Sequence, residues 1–259
     1  MFRWAYVGRA LSGSPAAAAL VVLAAALPVS AAAQEPYSPP RTADGRPDLS
    51  GIWQALNNAN WNIEDHAASP GIPAGFGVVE GGTLPYLPAA LAQRQWNLEN
   101  RASEDPEATC YQVGVPRIMY MPFPLQIVQT PKQVTILSEY AHSQRNIYID
   151  SEHVPEGIQW YMGDSRGRWE GDTLVVDVTH LWPESWLDRS GNYHSEALHV
   201  VERLTRTGPD HLRYEATLED PKVFSRPWQM SMTLYRRQEP NARLLEYECF
   251  AFLEHWESR

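Results

Sequence analysis

The chain has 259 residues, of which 44% are hydrophobic, and a formal net charge of −10 at pH 7. An acidic surface repels phosphate backbones and anionic headgroups, so we expect neither nucleic acid nor a membrane surface as a partner. The length suits one domain of generous size with a substantial core.

The N-terminal residues have the pattern of a secretory signal peptide. Arg3 and Arg9 are the only charged residues before an apolar core at 16–27, which is too short to span a membrane. Small residues at 31–33 provide a cleavage site before Gln34. We therefore expect a signal peptide at 1–33, a linker at 34–46 and a single β-barrel domain at 47–259. The mature protein is expected to be periplasmic or secreted, without a membrane anchor.

The chain contains two cysteines, Cys110 and Cys249. An oxidising compartment favours a disulfide between them. The alternative is a catalytic or metal-binding thiol, but neither cysteine has a partner at CxxC or CxH spacing. We therefore predict a disulfide that ties the middle of the chain to its last strand.

The first half of the expected domain contains one strand, a long loop and one helix. Residues 57–87 are rich in Asn, Gly and Pro and show no clean periodicity, as is typical of a long loop. Pro88 precedes apolar residues at helical spacing, which predicts a helix at 88–101.

Short segments of strand character, separated by turn residues, fill the rest of the chain. Residues 211–218 alternate between apolar and polar side chains, as expected of a half-buried strand. Ten strands are predicted in total, at 48–53, 125–130, 133–140, 145–150, 166–170, 173–179, 197–206, 211–218, 227–236 and 243–250. This pattern predicts an all-β antiparallel barrel with one helix and a long loop over one end, or alternatively a two-sheet β-sandwich.

Gly51-Ile52-Trp53 on the first strand resembles the Gly-x-Trp start of lipocalin-like barrels. The resemblance implies that Trp53 plugs the closed end of the barrel beneath an arginine from a late strand. Arg236, Arg237 or Arg243 could supply that arginine.

Several longer blocks extend over most of the expected domain. They read DLSGIW from Asp48, QIVQTP from Gln126, GRWEGDTLVVD from Gly167 and HSEALHVVER from His194. These blocks resemble a large family of uncharacterised exported bacterial proteins. The resemblance implies export and a β-rich domain, and it brings no catalytic residue with it.

The densest polar stretch runs from residue 188 to residue 202. His194 and Glu196 would share one face of a strand, and His199 would join them only across a bulge or turn. These three residues are the candidate ligands of a divalent metal ion, and Asp188 is a further candidate catalytic carboxylate. The alternative is a loop whose polar groups cap strand ends.

A second cluster, Glu139, His142 and Arg145, lies where two predicted strands meet. A histidine beside a carboxylate can act as a general base, and an arginine can hold an anionic group. The alternative is a solvated hairpin tip with an ion pair. Residues 161–168 form a third candidate, a glycine-containing loop in which Arg166 could hold an anion.

Two functions of different class follow. The first is an exported enzyme acting on a small aromatic or apolar molecule by acid–base or metal-assisted chemistry, as a lyase, isomerase or hydrolase. The second is a non-catalytic, lipocalin-like binding protein for an apolar ligand, favoured by the Gly-x-Trp start and the aromatic content, 11% of the chain. We favour the enzyme, in which His142, His194 and His199 would be proton carriers or metal ligands. Histidines that line one cavity would favour the enzyme, and histidines scattered over the outside would argue against it. The chain lacks a phosphate-loop pattern, so we expect no nucleotide cofactor. One divalent metal ion is the candidate cofactor.

Overall fold

Nine strands form a closed β-barrel in the computed structural model, which describes residues 37–250. The prediction of an all-β barrel is confirmed, and the alternative sandwich is excluded. The strands are β1 Gly51–Ala55, β2 Leu125–Gln129, β3 Gln133–Ser138, β4 Gln144–Ile149, β5 Asp164–Glu170, β6 Thr173–Thr179, β7 His199–Gly208, β8 His211–Glu219 and β9 Trp228–Arg236.

The strands follow chain order around the barrel, and β9 pairs with β1 to close it. All neighbouring strands are antiparallel except β4 and β5, which run parallel over three residue pairs from Ile147–Ser165 to Ile149–Gly167. The expectation of antiparallel hairpins throughout is therefore wrong at this seam. A parallel pair needs a crossover, and residues 150–163 supply it.

The inward side of the barrel follows directly from alternation along the strands. On β8, the buried residues are those that the sequence places on one face, with Leu212 and Tyr214 both inaccessible. On β7 the same alternation buries Glu202 and Arg206 among aliphatic neighbours. The interior thus contains two charged side chains from one strand, and each of them needs partners there.

The two ends of the barrel differ because the connections differ. Short turns at residues 130–132, 171–172 and 209–210 close one end. The connections at the other end are long, and they include residues 56–124, 180–198 and 220–227. The first of these contains the α-helix α1 Leu91–Glu104. The expected helix and long loop over one end are therefore confirmed, although the helix begins three residues later than predicted.

Trp53 fills the end with the short turns. Its side chain is completely buried, and its indole N–H donates to the carbonyl oxygen of Leu49 at 3.0 Å. The guanidinium of Arg236 lies 5.6 Å from the ring centroid, so Arg236 is the arginine among the three candidates that covers Trp53. A second arginine, Arg206, lies 5.8 Å from the same ring.

A disulfide joins Cys110 to Cys249, with 5.6 Å between their Cα atoms, as predicted. The predicted strand at 243–250 is wrong, because residues 243–248 form no ladder. Tyr247 of this segment packs instead on the β1–β2 connection, with its ring 4.7 Å from that of Phe123, whereas Leu245 and Phe250 are exposed. The disulfide therefore fastens an irregular C-terminal segment rather than a last strand.

The predicted signal peptide at 1–33 lies outside the described residues. Residues 37–46 include a turn in which the Thr42 N–H donates to the carbonyl oxygen of Arg46 at 2.9 Å. Arg41 forms an ion pair with Asp172 at the β5–β6 turn. Among residues 37–250, none of the helices has the length and apolar character required to cross a bilayer.

Candidate functional site

A cavity of about 790 Å³ opens in the barrel wall where β4 and β5 separate beyond their short parallel pairing. We call it the seam cleft. Its walls come from the starts of β4 and β5, the crossover at 154–163, Tyr111 and Gln112 of the β1–β2 connection, and Trp182 of the β6–β7 connection. Its volume is in the range of small-molecule pockets.

Five aromatic side chains contribute to the walls of the seam cleft, alongside polar residues. Tyr111 and Tyr161 meet edge to face with 4.7 Å between ring centroids, and Tyr161 lies parallel to Trp182 at 6.4 Å. Eight large aromatic side chains are exposed among the described residues, and four of them, Tyr111, Tyr148, Trp160 and Trp182, line this cleft. This concentration of exposed rings distinguishes the cleft from the rest of the surface.

The floor of the cleft is a buried ion pair. Arg145 is 2% exposed and Glu202 is inaccessible; the guanidinium donates to both carboxylate oxygens, with 3.0 Å between Nη1 and Oε1. Arg145 Nε donates to Ser165 Oγ at 3.0 Å, and the Tyr214 hydroxyl donates to Glu202 at 2.7 Å. Burial, reinforced by the Glu202 carboxylate, raises the pKa of Tyr214 well above its ordinary value. The floor is thus polar, rigid and fully partnered.

Asp164 lies at the edge of the cleft, beside the crossover segment. Its carboxylate accepts two hydrogen bonds from Arg166, at 2.8 and 3.0 Å, and one contact of 2.7 Å from His153 Nδ1. Burial alone would raise the pKa of Asp164, but the hydrogen bonds from Arg166 and His153 outweigh burial and lower it. The guanidinium of Arg166 also lies over the Tyr148 ring at 5.1 Å. Arg166, expected to hold an anion, is therefore bound to Asp164.

His153 links two carboxylates on the outer face of the barrel. Its Nδ1 faces Asp164, and its Nε2 lies 2.9 Å from Asp177 Oδ1. The same Asp177 oxygen lies 3.0 Å from His199 Nε2. The crossover brings His153 to this position. Asp164, Asp177 and His199 face outward from β5, β6 and β7.

His180 completes a group that could hold a metal ion. One ligand atom from each of His153, Asp164 and His180 lies within 4.8 Å of the other two. Thr179 Oγ1 lies 2.7 Å from His180 Nδ1 and 3.1 Å from His153 Nδ1. Thr179 and His180 line a second cavity of about 410 Å³, so the group lies between this cavity and the seam cleft, which Asp164 lines.

The structure does not bring Glu139, His142 and Arg145 into one site. His142 Nε2 lies 3.0 Å from the Glu248 carboxylate in an exposed pair, and Glu139 accepts a hydrogen bond from the Leu245 N–H. Arg145 points into the barrel, because it lies on the inward face of β4. Only Arg145 of this cluster therefore reaches the seam cleft.

The expected metal set of His194, Glu196 and His199 is also dispersed. His194 is buried, with 2.8 Å between Nε2 and Ser185 Oγ, and burial lowers its pKa. Glu196 is exposed and pairs with Lys222. The shared face predicted for the first two residues is wrong because β7 begins only at His199, which lies on Asp177. A catalytic role for any of these residues stays a prediction.

Asp188 organises the long connections. Both of its oxygens accept N–H donors, from the backbones of Ile63, Ser190 and Asn192 and from the Asn192 amide, at 2.6–3.2 Å. Burial raises the pKa of Asp188 to about 6. The carboxylate fastens the β1–β2 connection to the β6–β7 connection, and its donors account for its burial.

Buried side chains fill the barrel interior, in contrast to the internal ligand cavity that a lipocalin-like binding protein would have. Val176, Leu204 and Tyr214 are at most 1% exposed, and the Arg145–Glu202 pair lies beside them. His142, His194 and His199 do not line one cavity: His142 pairs with Glu248, His194 is buried beside Ser185, and His199 lies beside Asp177. The space lined by aromatic rings instead lies in the barrel wall, between β4 and β5, and no sequence pattern predicts a parallel pair there.

Comparison with known proteins adds no functional assignment. No protein-family model matches the chain, and no curated protein matches it. The resemblance to an exported bacterial family stays a prediction.

Proposed function

We propose that the protein binds a small ring-bearing organic molecule in the seam cleft. The observation that supports this proposal is the concentration of exposed rings around one cavity of about 790 Å³. Exposed aromatic surface is costly in water, and rings stack favourably on other rings. A ligand that covers these side chains would remove that cost.

The polar groups of the cleft favour a ring with a neutral polar substituent. Arg145 and Arg166 line the cleft, but each already holds a carboxylate, so neither offers an uncompensated charge to an anion. Gln144, Asn146 and Gln159 supply amide donors and acceptors at the walls. Hydroxyl and amide substituents fit such groups.

Export is part of the proposal. The signal-peptide pattern at 1–33 and the Cys110–Cys249 disulfide both favour a compartment outside the cytoplasm. The protein would then carry or sense its ligand in the periplasm or outside the cell.

The test is a titration of phenol, indole and 2-naphthol, followed by ligand-detected NMR. We expect saturable binding that Trp160→Ala and Tyr111→Ala each weaken at least tenfold, because each removes a ring from the wall. Trp96→Ala is the matched control, since Trp96 is similarly exposed, at 47%, on α1. Failure of all three compounds to bind, or equal losses in the control, would contradict the proposal.

A second candidate, an enzyme acting on the bound molecule, is favoured by the His153–Asp164 contact of 2.7 Å at the cleft rim. Such a pair can transfer a proton. Chromatography of the compound that binds best, after incubation with the protein, tests this candidate. An enzyme is supported if the wild type converts the compound and the His153→Gln variant does not. If the wild type leaves the compound unchanged, binding without catalysis is the function that remains.

A further inference from the structure

The group His153, Asp164 and His180 has the features of a metal centre that lies beside the seam cleft and does not depend on a ligand there. The three ligand atoms lie within 4.8 Å of one another. In a tetrahedral zinc site, ligand atoms about 2.0–2.2 Å from the ion are separated by roughly 3.3 Å. Small rotations of the three side chains are therefore enough to surround an ion.

The outer contacts of His153 match those of a metal-binding histidine. Such a histidine binds the ion through one nitrogen and donates the other N–H to a carboxylate, which fixes its ring. His153 Nδ1 faces Asp164, and Nε2 lies 2.9 Å from Asp177 Oδ1. Asp177 is thus a positioning residue, and an ion at Nδ1 would replace the proton shared with Asp164.

The other two residues are also placed for ligation. Arg166 and the Val154 N–H hold the Asp164 carboxylate in one orientation. His180 Nε2 is buried and has no hydrogen-bond partner within residues 37–250. A buried ring nitrogen without a partner is costly, and a metal ion could satisfy it directly or after a ring flip.

We propose that His153, Asp164 and His180 bind one divalent transition-metal ion, with Asp177 orienting His153. Two imidazoles and one carboxylate suit zinc and the neighbouring first-row metals. Three protein ligands leave a position open, and access runs through the seam cleft, lined by Asp164, or through the smaller cavity, lined by His180.

The test uses the purified protein without a polyhistidine tag, dialysed free of metal and titrated calorimetrically with zinc chloride in the absence of any organic ligand. We expect one ion per chain. His153→Gln and His180→Gln should each weaken binding more than 100-fold, and Asp177→Asn should weaken it about 10- to 100-fold. His142→Gln is the matched control, because His142 is an exposed histidine paired with a carboxylate.

Cobalt in place of zinc supplies a second readout, since four-coordinate Co²⁺ has visible absorption that a loosely bound aqueous ion lacks. The absence of saturable zinc binding, or unchanged affinity in His180→Gln, would overturn the proposal. Circular dichroism of each metal-free variant shows whether it is folded. If a histidine variant is unfolded, the proposal is tested by the cobalt spectrum of the wild type, which should show four-coordinate absorption, and by the loss of zinc affinity in Asp177→Asn. The cleft variant Tyr111→Ala should bind zinc normally, because Tyr111 contacts Tyr161 rather than the three proposed ligands, and this result separates the metal site from the proposed ring-binding function.

Discussion

Removing one member of the Arg145–Glu202 pair should destabilise the barrel about as much as removing both members. Arg145 is 2% exposed and Glu202 is inaccessible, so either side chain left alone is an uncompensated buried charge. Such a loss costs about 3–5 kcal/mol. We therefore expect Arg145→Met and Glu202→Leu each to lower the free energy of unfolding by about that amount.

The double variant removes both charges at once. It leaves the Tyr214 hydroxyl and Ser165 Oγ each without one partner, because these groups bond to Glu202 and Arg145. An unsatisfied buried hydroxyl costs about 1–3 kcal/mol. The double variant should thus lose about 2–6 kcal/mol, whereas the two single losses sum to about 6–10 kcal/mol, and the midpoints of these ranges give a coupling energy of about 4 kcal/mol.

The assay is urea unfolding at pH 7, followed by circular dichroism, of the wild type, both single variants and the double variant. The exposed pair of Arg203 and Glu170 provides the control, since exposed ion pairs contribute little. Arg203→Met should leave the unfolding midpoint close to that of the wild type. Single effects that add to within about 0.5 kcal/mol would refute the reasoning, because independent sites add in that way.

Four further predictions concern the turns and connections. Gly191 has φ of +80°, and a Cβ there would lie within 2.6 Å of two backbone atoms of α1; Gly191→Ala should therefore cost at least about 3 kcal/mol in urea unfolding. Gly171 has φ of +60° with open space around it, so Gly171→Ala should cost only about 1–2 kcal/mol. Replacing Cys110 and Cys249 by serine should cost about 5 kcal/mol, because the disulfide closes a loop of 139 residues; an unchanged melting temperature in calorimetry would contradict this. Folding raises the pKa of Asp188 from 3.8 to about 6, so the folded state binds the proton more tightly than the unfolded state does. This contributes about 3 kcal/mol to the free energy of unfolding below about pH 4, and the contribution is lost as the pH rises to about 6. The difference in unfolding free energy between the wild type and Asp188→Asn should therefore change by this amount from pH 4 to 7, and a difference that is independent of pH would refute the prediction.

The strands and turns were predictable because alternation is a local property. The β8 residues Leu212 and Tyr214 are buried as their spacing predicts. The same reasoning failed at residues 243–250, where Tyr247 packs on Phe123 and Tyr140 instead of joining the sheet. Hydrophobic spacing reports that a side chain is covered, and does not specify what covers it.

The site was less predictable because it depends on distant segments. His153, Asp164 and His180 are separated by 11 and 16 residues, and no ligand motif has this spacing. They meet because the crossover lies against the outer face of β5 and β6. In contrast, His194 and His199, which are close in sequence, point in different directions because β7 begins at His199 and His194 lies in the connection before it.

The seam between β4 and β5 has an arithmetic origin. Going round a closed ring, an alternation of up and down strands returns to its starting direction only when the number of strands is even. An eight-stranded up-and-down barrel closes with antiparallel neighbours throughout. With nine strands, at least one neighbouring pair must run in the same direction, and here that pair is β4 and β5. Any rearrangement that keeps nine strands can move this defect around the wall but cannot remove it. A parity constraint thus requires one parallel pair in this wall, and the ring-lined opening lies where that pair separates.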